Sequence, residues 1–410
     1  MANVRVHPVA SWFDRRRFLQ FPWSLYRDDP LWIPPIRSAQ PGLLGYRLHP
    51  FLATAEVQTF LARRGRDVVG RIAAIVNHAH NATYRERRGF FGFFESINDA
   101  AVSRGLFDAA RDWLESQGAF GLRGPVNPSM NYVSGMLING FDSSPTFSLP
   151  YNPAYYCDLL ADYGFQKAHD LLAFVGYKDE LPKFQERLNP LIDQVEARWN
   201  PVIRPMNTSS HGGDIDLFLD LFNRSLDGMW GFVPLTRPEL QDLVGSLRFL
   251  MDPRFALVAE VEGKAAGIAI GVPDYNPRIK QINGRLFPFG FLRLLSRRGL
   301  NRFCVLSLTV LPEYQRWGLG LVLLRALLPR ALDLGFQEGE FSWISESNTL
   351  AIGGMRKSGL RHTKTYRIYD FGQAAVDEDP ATTRSNEFPA PVPKVLPAAA
   401  VDTSLRALER

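Results

Sequence analysis

The 410-residue sequence predicts an α/β (α+β) protein made of two tandem units, each a mixed, mostly antiparallel central sheet flanked by helices. Three observations carry this reading. The order strand, helix, antiparallel strands, helix, strand, helix, strand runs through the first half and recurs in the second, as a domain-scale duplication would give. The stretch Cys304 to Gly335 passes from β-rich, almost uncharged residues through a turn with two closely spaced glycines into an apolar helix. The length exceeds one small domain, and 46% hydrophobic with 22% charged residues are globular proportions.

The first unit is assigned to residues 1–178. Val4–Val9 reads as a short strand and Ser11–Tyr26 as a helix. Asp28 to Pro35 is extended, because three prolines fix their own backbone and restrict the residues before them. Val57–Arg63 and Val68–Val76 form a hairpin through Gly65-Arg66-Asp67. Gly89–Glu95 is a third strand. Ala100–Gln117 is a helix with Phe107, Ala110 and Leu114 on one face and Gly118 as its stop. A short strand over Phe120–Gly124, a helix over Pro153–Tyr163 and a strand over Leu171–Tyr177 close the unit. Residues 179–200 are predicted to be a helical linker.

The second unit is assigned to residues 201–372. It opens with a strand over Val202–Met206 and helices over Ile215–Leu226 and Arg237–Leu250. Phe255–Val261 and Ala265–Val272 pair through Glu262-Gly263-Lys264. An insertion over 273–303 precedes the Cys304 to Gly335 stretch. Glu340–Ile344 is a strand, Asn348–Ser358 a helix stopped by Gly359, and Arg361–Phe371 a closing strand. Residues 373–410, rich in Ala, Pro, Asp and Thr, are expected to be a disordered tail, with a short helix at Ser404–Leu408.

Composition excludes several classes. The two cysteines, Cys157 and Cys304, are far apart and suit a reducing cytoplasm rather than a disulfide framework or zinc site. Arg15-Arg16-Arg17 interrupts any apolar leader, and no uncharged run spans a bilayer. His78 and His80, read as strand residues on one face, lack a third ligand, so no metal is expected. In the insertion, Arg278, Lys280, Arg285, Arg293, Arg297, Arg298 and Arg302 surround Leu286-Phe287-Pro288-Phe289-Gly290-Phe291, with no acid from Tyr275 through Pro312. Helical spacing puts Phe291, Leu294 and Leu295 together. Apolar rings beside unopposed arginines suit a membrane surface met through residues 286–298, or a helix covering the core. No groove-reading motif accompanies the basic residues, so no nucleic-acid partner is expected.

Val305 to Leu311 ends at Pro312, which cannot continue a central strand. The helix that follows is predicted to open on Gly318 and Gly320. Without a Cβ at those positions, a bulky anion can approach unpaired helix amides and the positive end of the dipole. Gln315-Arg316-Trp317-Gly318-Leu319-Gly320 after such a strand resembles the acyl-CoA-binding signature of the GNAT N-acyltransferases. It is neither a Walker loop nor a dinucleotide fingerprint. The match narrows at Asp29-Pro30-Leu31-Trp32-Ile33-Pro34-Pro35, Tyr151-Asn152-Pro153-Ala154-Tyr155-Tyr156 and Asn283 to Gly290. Those segments resemble a family of long bacterial tandem GNAT proteins that includes ceramide synthases. The resemblance covers roughly residues 1 to 372.

The resemblance implies an acyl-CoA-dependent N-acyltransferase, cytoplasmic or peripheral on the inner face of the bacterial membrane. Its acceptor would be a primary amine, with a long acyl chain and a sphingoid base as the favoured pair. Pyrophosphate would lie on Gln315, Arg316, Trp317, Gly318, Leu319 and Gly320, and pantetheine along Leu308, Thr309 and Val310, with the Val310 amide polarising the thioester. Asn348 falls on the family's second motif and also fits a helix N-cap. Glu346 is the expected general base, with His362 and Tyr366 in reserve. Where the family commonly has a tyrosine that protonates the leaving thiolate, this chain has Met355. The first unit, with Val102 to Phe107 opposite the signature and Phe107 in place of a second glycine, is expected to be a degenerate partner. Acetylation of a soluble amine or protein lysine, and a CoA-binding sensor without activity, stay open.

Overall fold

A computed structural model describes residues 3–207, 213–247 and 250–376. Residues 377–410, including the expected helix at Ser404–Leu408, lie outside the described residues. The strands are β1 (Val4–Pro8), β2 (Ala55–Arg64), β3 (Asp67–Asn77), β4 (Glu86–Ser96), β5 (Phe120–Gly124), β6 (Val126–Asn127), β7 (Val133–Ser134) and β8 (Met136–Asn139). They continue with β9 (Gln166–Tyr177), β10 (Val202–Pro205), β11 (Ala256–Val261), β12 (Lys264–Pro273), β13 (Arg302–Val310), β14 (Glu338–Ser345), β15 (Arg361–Phe371) and β16 (Ala375–Val376).

One mixed sheet runs through both halves in the order β1-β2-β3-β4-β5-β15-β9-β14-β13-β12-β11-β10, with β8 and β16 pairing β15 and β4 off this path. The two parallel steps are β4 on β5 and β13 on β14, one in each half. The closing strands are exchanged. β9, from the first half, pairs antiparallel with β14, and β15, from the second, pairs antiparallel with β5. β9 and β15 also pair with each other along most of their length. Each half therefore completes the other's sheet, and Met1–Val376 forms one compact unit.

Helices cover both faces. In the second half the helix Leu319–Asp333 sets Leu319, Leu323 and Leu327 against Leu257, Ala259 and Ala269. On the opposite face the amphipathic helix Ile215–Leu226 buries Phe218 and Leu221 with Val258 and Ile268. In the first half the helix Ala100–Ser116 buries Leu106, Phe107, Ala110 and Leu114, and Phe18 from the helix Trp12–Leu25 packs on the other face. The residues expected as a helical linker form the helix Leu181–Trp199, whose Ile192 and Val195 enter the same core as Leu319.

Four local expectations change. His78 and His80 open a helix, His78–Tyr84, and bond separately to Glu56 and Glu86 at 3.3 and 2.9 Å. Asn77, the last residue of β3, accepts from the His80 amide at 3.0 Å and caps that helix. Gly105, which the comparison of Val102 to Phe107 with the glycine signature sets at a helix start, lies inside its helix, where a Cβ would come within 3.2 Å of Val6 on β1. In the insertion only Leu294 of the expected apolar trio is buried, in the short helix Gly290–Leu295. Finally, Ala375 and Val376 pair with Arg87 and Glu86, so the ordered chain extends past the predicted start of the tail.

Candidate active site

The site is built where β13 and β14 part. Their parallel pairing runs from Arg302 opposite Glu338 to Val305 opposite Phe341, and no further. β13 continues to Val310, still paired to β12. A register shift falls between Ile270 and Gly271, opposite Ser307 and Val305, so Leu306 is an extra residue that bends the strand away from β14. The amide of Leu311 donates to the carbonyl of Ala266 at 2.9 Å. In an antiparallel ladder alternate residues bond, so the amides of Leu308 and Val310 face away from β12 and into the gap. The Val310 carbonyl there accepts from Gln315 Nε2 at 2.9 Å.

A short helix, Pro312–Gln315, follows β13, and the chain then turns through Gly318, with φ +85°, into the helix Leu319–Asp333. Only glycine holds that φ without strain. Gly320 is different. It has ordinary helical backbone, and a Cβ there would meet nothing nearer than Leu308 and Val310 side chains, at 3.7 and 3.8 Å. The fold itself does not require a bare backbone at Gly320, whereas a ligand on the first helix amides would. Those residues fit the diphosphate of acyl-CoA. Trp317 is 44% exposed beneath the Arg198 guanidinium, 4.0 Å from the ring centre. Arg316 is exposed and has no ion-pair partner among the described residues. Gln315, in contrast, spends its side chain holding Val310 and Ser225.

Leu308 and Val310 point toward Gly320, so Ser307 and Thr309 point to the other face of the sheet. Neither hydroxyl has a hydrogen-bond partner among the described residues. A buried polar cluster gathers near the apex of the gap. Glu340, 1% exposed on β14, stands opposite Cys304. Thr146 donates to its Oε1, Ser342 Oγ donates to the same oxygen at 2.9 Å, and Arg302 Nη1 lies 3.9 Å from Oε2. Burial raises the Glu340 carboxyl above the ordinary range, and these partners only partly offset it. Asp274, at the end of β12, accepts from the amides of Phe147 and Asn276 at 3.1 Å, and burial pushes it up to about 6. The Tyr366 phenol is fully buried with no hydrogen-bond partner among the described residues, and burial followed by the Glu340 charge raises it well above its ordinary value.

Glu346 is placed elsewhere. Its carboxylate bonds Lys167 Nζ at 2.6 Å and accepts from the Asp170 amide at 3.0 Å, which fixes it to β9. Asn348 accepts from the Ala351 amide at 3.0 Å and caps the helix Thr349–Lys357, so its side chain is committed. His362 is the second residue of β15 and bonds the Lys364 carbonyl and Thr365 hydroxyl, each at 3.0 Å, with β9 and β14 between it and β13. Sequence reasoning missed Glu340, Asp274 and Thr146. The alternation Glu340-Phe341-Ser342 could have marked Glu340 as facing away from the apolar side, but nothing local shows what covers it.

The first half lacks this arrangement. Its helix Ala100–Ser116 is capped by Asp99, which accepts from the Ala101 amide at 2.8 Å and from Arg64 Nη2 at 2.5 Å. A carboxylate thus occupies the helix N-terminus where the second half has Gly318. Along β4 the Phe93 amide donates to Asn127 Oδ1 at 2.5 Å and the Ser96 amide to Tyr156 Oη at 2.8 Å. Phe107 is buried, stacked 4.7 Å from Phe94. It sits two turns into the helix, so Asp99 rather than Phe107 answers Gly318.

Comparison with known proteins agrees with this geometry. The model of the acetyltransferase (GNAT) family matches residues 216–359, which hold the gap and the glycine turn. The chain is 33% identical over 364 residues to protein YghO of Escherichia coli (strain K12), covering 87% of this chain and 92% of that one. It is 32% identical over 381 residues to the bacterial ceramide synthase of Caulobacter vibrioides (strain NA1000 / CB15N), covering 90% and 97%. A solved tandem GNAT protein from the clavulanic acid biosynthesis pathway shares the fold at TM-score 0.54 and 14% identity, over 90% of this chain and 98% of that one. Likeness to two curated relatives along nearly the whole chain, with a parted parallel pair beside a glycine-bare helix end, places the protein: it belongs to the GNAT family of acyltransferases, among its tandem members.

Proposed function

We propose that the chain transfers an acyl group from acyl-CoA to a primary amine, with a long-chain donor and a lipid amine such as a sphingoid base as acceptor. The observation that carries this is the gap between β13 and β14, which turns the Leu308 and Val310 amides toward one ligand beside the bare amides of Leu319 and Gly320. Pantetheine is held along that strand edge, and the Val310 amide polarises the thioester carbonyl. The amine nitrogen attacks the carbonyl carbon, the C–N bond forms and the C–S bond breaks. The proton leaving nitrogen passes to Glu340, through the Ser342 hydroxyl bonded to it. Met355 stands where the family's tyrosine would protonate the thiolate, and Tyr366, like His362, is separated from β13 by β9 and β14, so the thiolate takes its proton from solvent.

A lipid acceptor is supported by the name of the Caulobacter relative and by the insertion. Phe287, Phe289, Leu292 and Leu295 are 77%, 73%, 52% and 55% exposed, beside Arg285, Arg293 and Arg298. Such a surface favours an anionic bilayer over water. Among the described residues no helix is long and apolar enough to cross a membrane, so the contact is made from one side. The test is release of CoA thiol from acetyl-, palmitoyl- and stearoyl-CoA against sphinganine, spermidine and a lysine peptide. Turnover of long-chain donors with sphinganine is expected. Activity confined to acetyl-CoA with a soluble amine would overturn the lipid reading.

A further inference from the structure

An apolar pocket lies under the apex of the gap, on the face covered by the helix Leu319–Asp333. Its inner wall is Phe303 and Phe341, and Phe341 is the last β14 residue paired with β13. Phe341 therefore belongs both to the pocket wall and to the apex of the gap. Leu328 and Leu332 from the helix Leu319–Asp333, Phe184 from the helix Leu181–Trp199, and Phe336 form the sides. The buried polar cluster around Glu340 is on the other face of the same strand, so this space is separate from it.

The floor is what points to a ligand. Gly176 on β9 and Gly339 on β14 stand directly opposite each other in the ladder. Neither has a positive φ. A Cβ on Gly339 would meet nothing nearer than Phe341, at 3.8 Å, and one on Gly176 nothing nearer than Leu360, at 3.5 Å. Neither backbone geometry nor crowding demands glycine here, and glycine inside a strand weakens it. Paired strand glycines with room above them mark a place where something other than the chain lies against the backbone.

We infer that this pocket receives the far end of the donor's acyl chain, and that the Gly176–Gly339 floor sets how long a chain is accepted. The inference rests on the acyl-CoA reading of the gap. It adds a subsite on the face away from the amine, so the acyl tail and the acceptor do not compete for space. Each further methylene of a bound tail removes apolar surface from water, and affinity rises with chain length until the pocket is full.

The experiment is calorimetric binding of CoA, octanoyl-CoA and palmitoyl-CoA to the full chain, wild type and Gly339→Leu. In the wild type, palmitoyl-CoA is expected to bind about a hundredfold tighter than CoA. In Gly339→Leu that ratio should fall by about tenfold or more, with the loss greater for palmitoyl- than octanoyl-CoA. Ala331→Phe narrows the same pocket from the helix and should act alike, which guards against a folding defect in the first variant. If CoA binds but the ratio is the same in all three proteins, the pocket is not the tail site while the CoA reading stands. If CoA itself does not bind the wild type, the reading of the gap falls, and the inference with it.

Discussion

Thr146, in a loop of the first half, donates its hydroxyl to the buried carboxylate of Glu340 in the second. The contact spans 194 residues and puts part of the partner half over the site's one buried strand-14 acid. Replacing Glu340 with Gln keeps the shape and the Ser342 contact but removes the proton acceptor. Turnover should fall by about a hundredfold or more, with acyl-CoA affinity retained. Because burial raises this carboxyl, the acid limb of the wild-type pH–rate profile should lie above the ordinary carboxylate range. Steady-state kinetics from pH 4 upward on both proteins checks it, and equal rates would remove Glu340 from the mechanism.

Glu346 supplies the contrast. Its side chain is one-third exposed and bridges to Lys167, 42% exposed. An exposed bridge contributes about 0–1 kcal/mol after screening. Glu346→Gln should leave the rate within about threefold of wild type and shift the melting temperature by at most a few degrees. A collapse in turnover without loss of CoA binding would return the general base to this residue.

The two cradle glycines should separate by phenotype. Gly320→Glu places a carboxylate against the helix amides, in a position the fold can accommodate, so CoA binding should be lost by about a hundredfold with little change in melting temperature. Gly318→Ala, at φ +85°, should instead cost about 1 kcal/mol of stability. Calorimetry with CoA and thermal unfolding of each variant distinguish the two effects.

The glycine turn was legible in sequence because its signals are local: Pro312 ends a strand and two glycines open a helix. The hairpin over β2 and β3 was legible for the same reason. Partners of the closing strands were not, since β9 and β15 both read simply as strands and alternation says nothing about which neighbour each one finds. Glu340 was hidden likewise, because an acid on alternate strand positions ordinarily faces water, and only Thr146 and Arg302 reveal that this one does not. Asp99 is legible in sequence, because an acid just before Ala100 is an N-cap signal, and Phe107, two turns further on, is not.

The exposed insertion should behave as a membrane contact. Phe287→Ser with Phe289→Ser removes two rings that are 77% and 73% exposed and touch little of the core. Co-sedimentation with phosphatidylglycerol vesicles should fall by about tenfold, while affinity for soluble CoA stays the same. Binding to neutral vesicles should be weak for both proteins, because the arginines then lack a counter-charge.

Asp274 makes a pH-dependent contribution to stability that can be measured by difference. Its folded carboxyl is raised from 3.8 to about 6, mainly by burial. A raised acid holds its proton more tightly folded than unfolded, so the native state binds more protons between those two values and stability falls as pH rises. The contribution is present in full below 3.8 and gone above about 6, a swing of about 3 kcal/mol. Asp274→Asn keeps an oxygen for the Phe147 and Asn276 amides but cannot ionise. The variant should therefore gain stability relative to wild type as pH rises from 4 to 7, approaching about 3 kcal/mol in urea unfolding. A difference that does not change with pH would mean the Asp274 carboxyl is not raised in the folded protein.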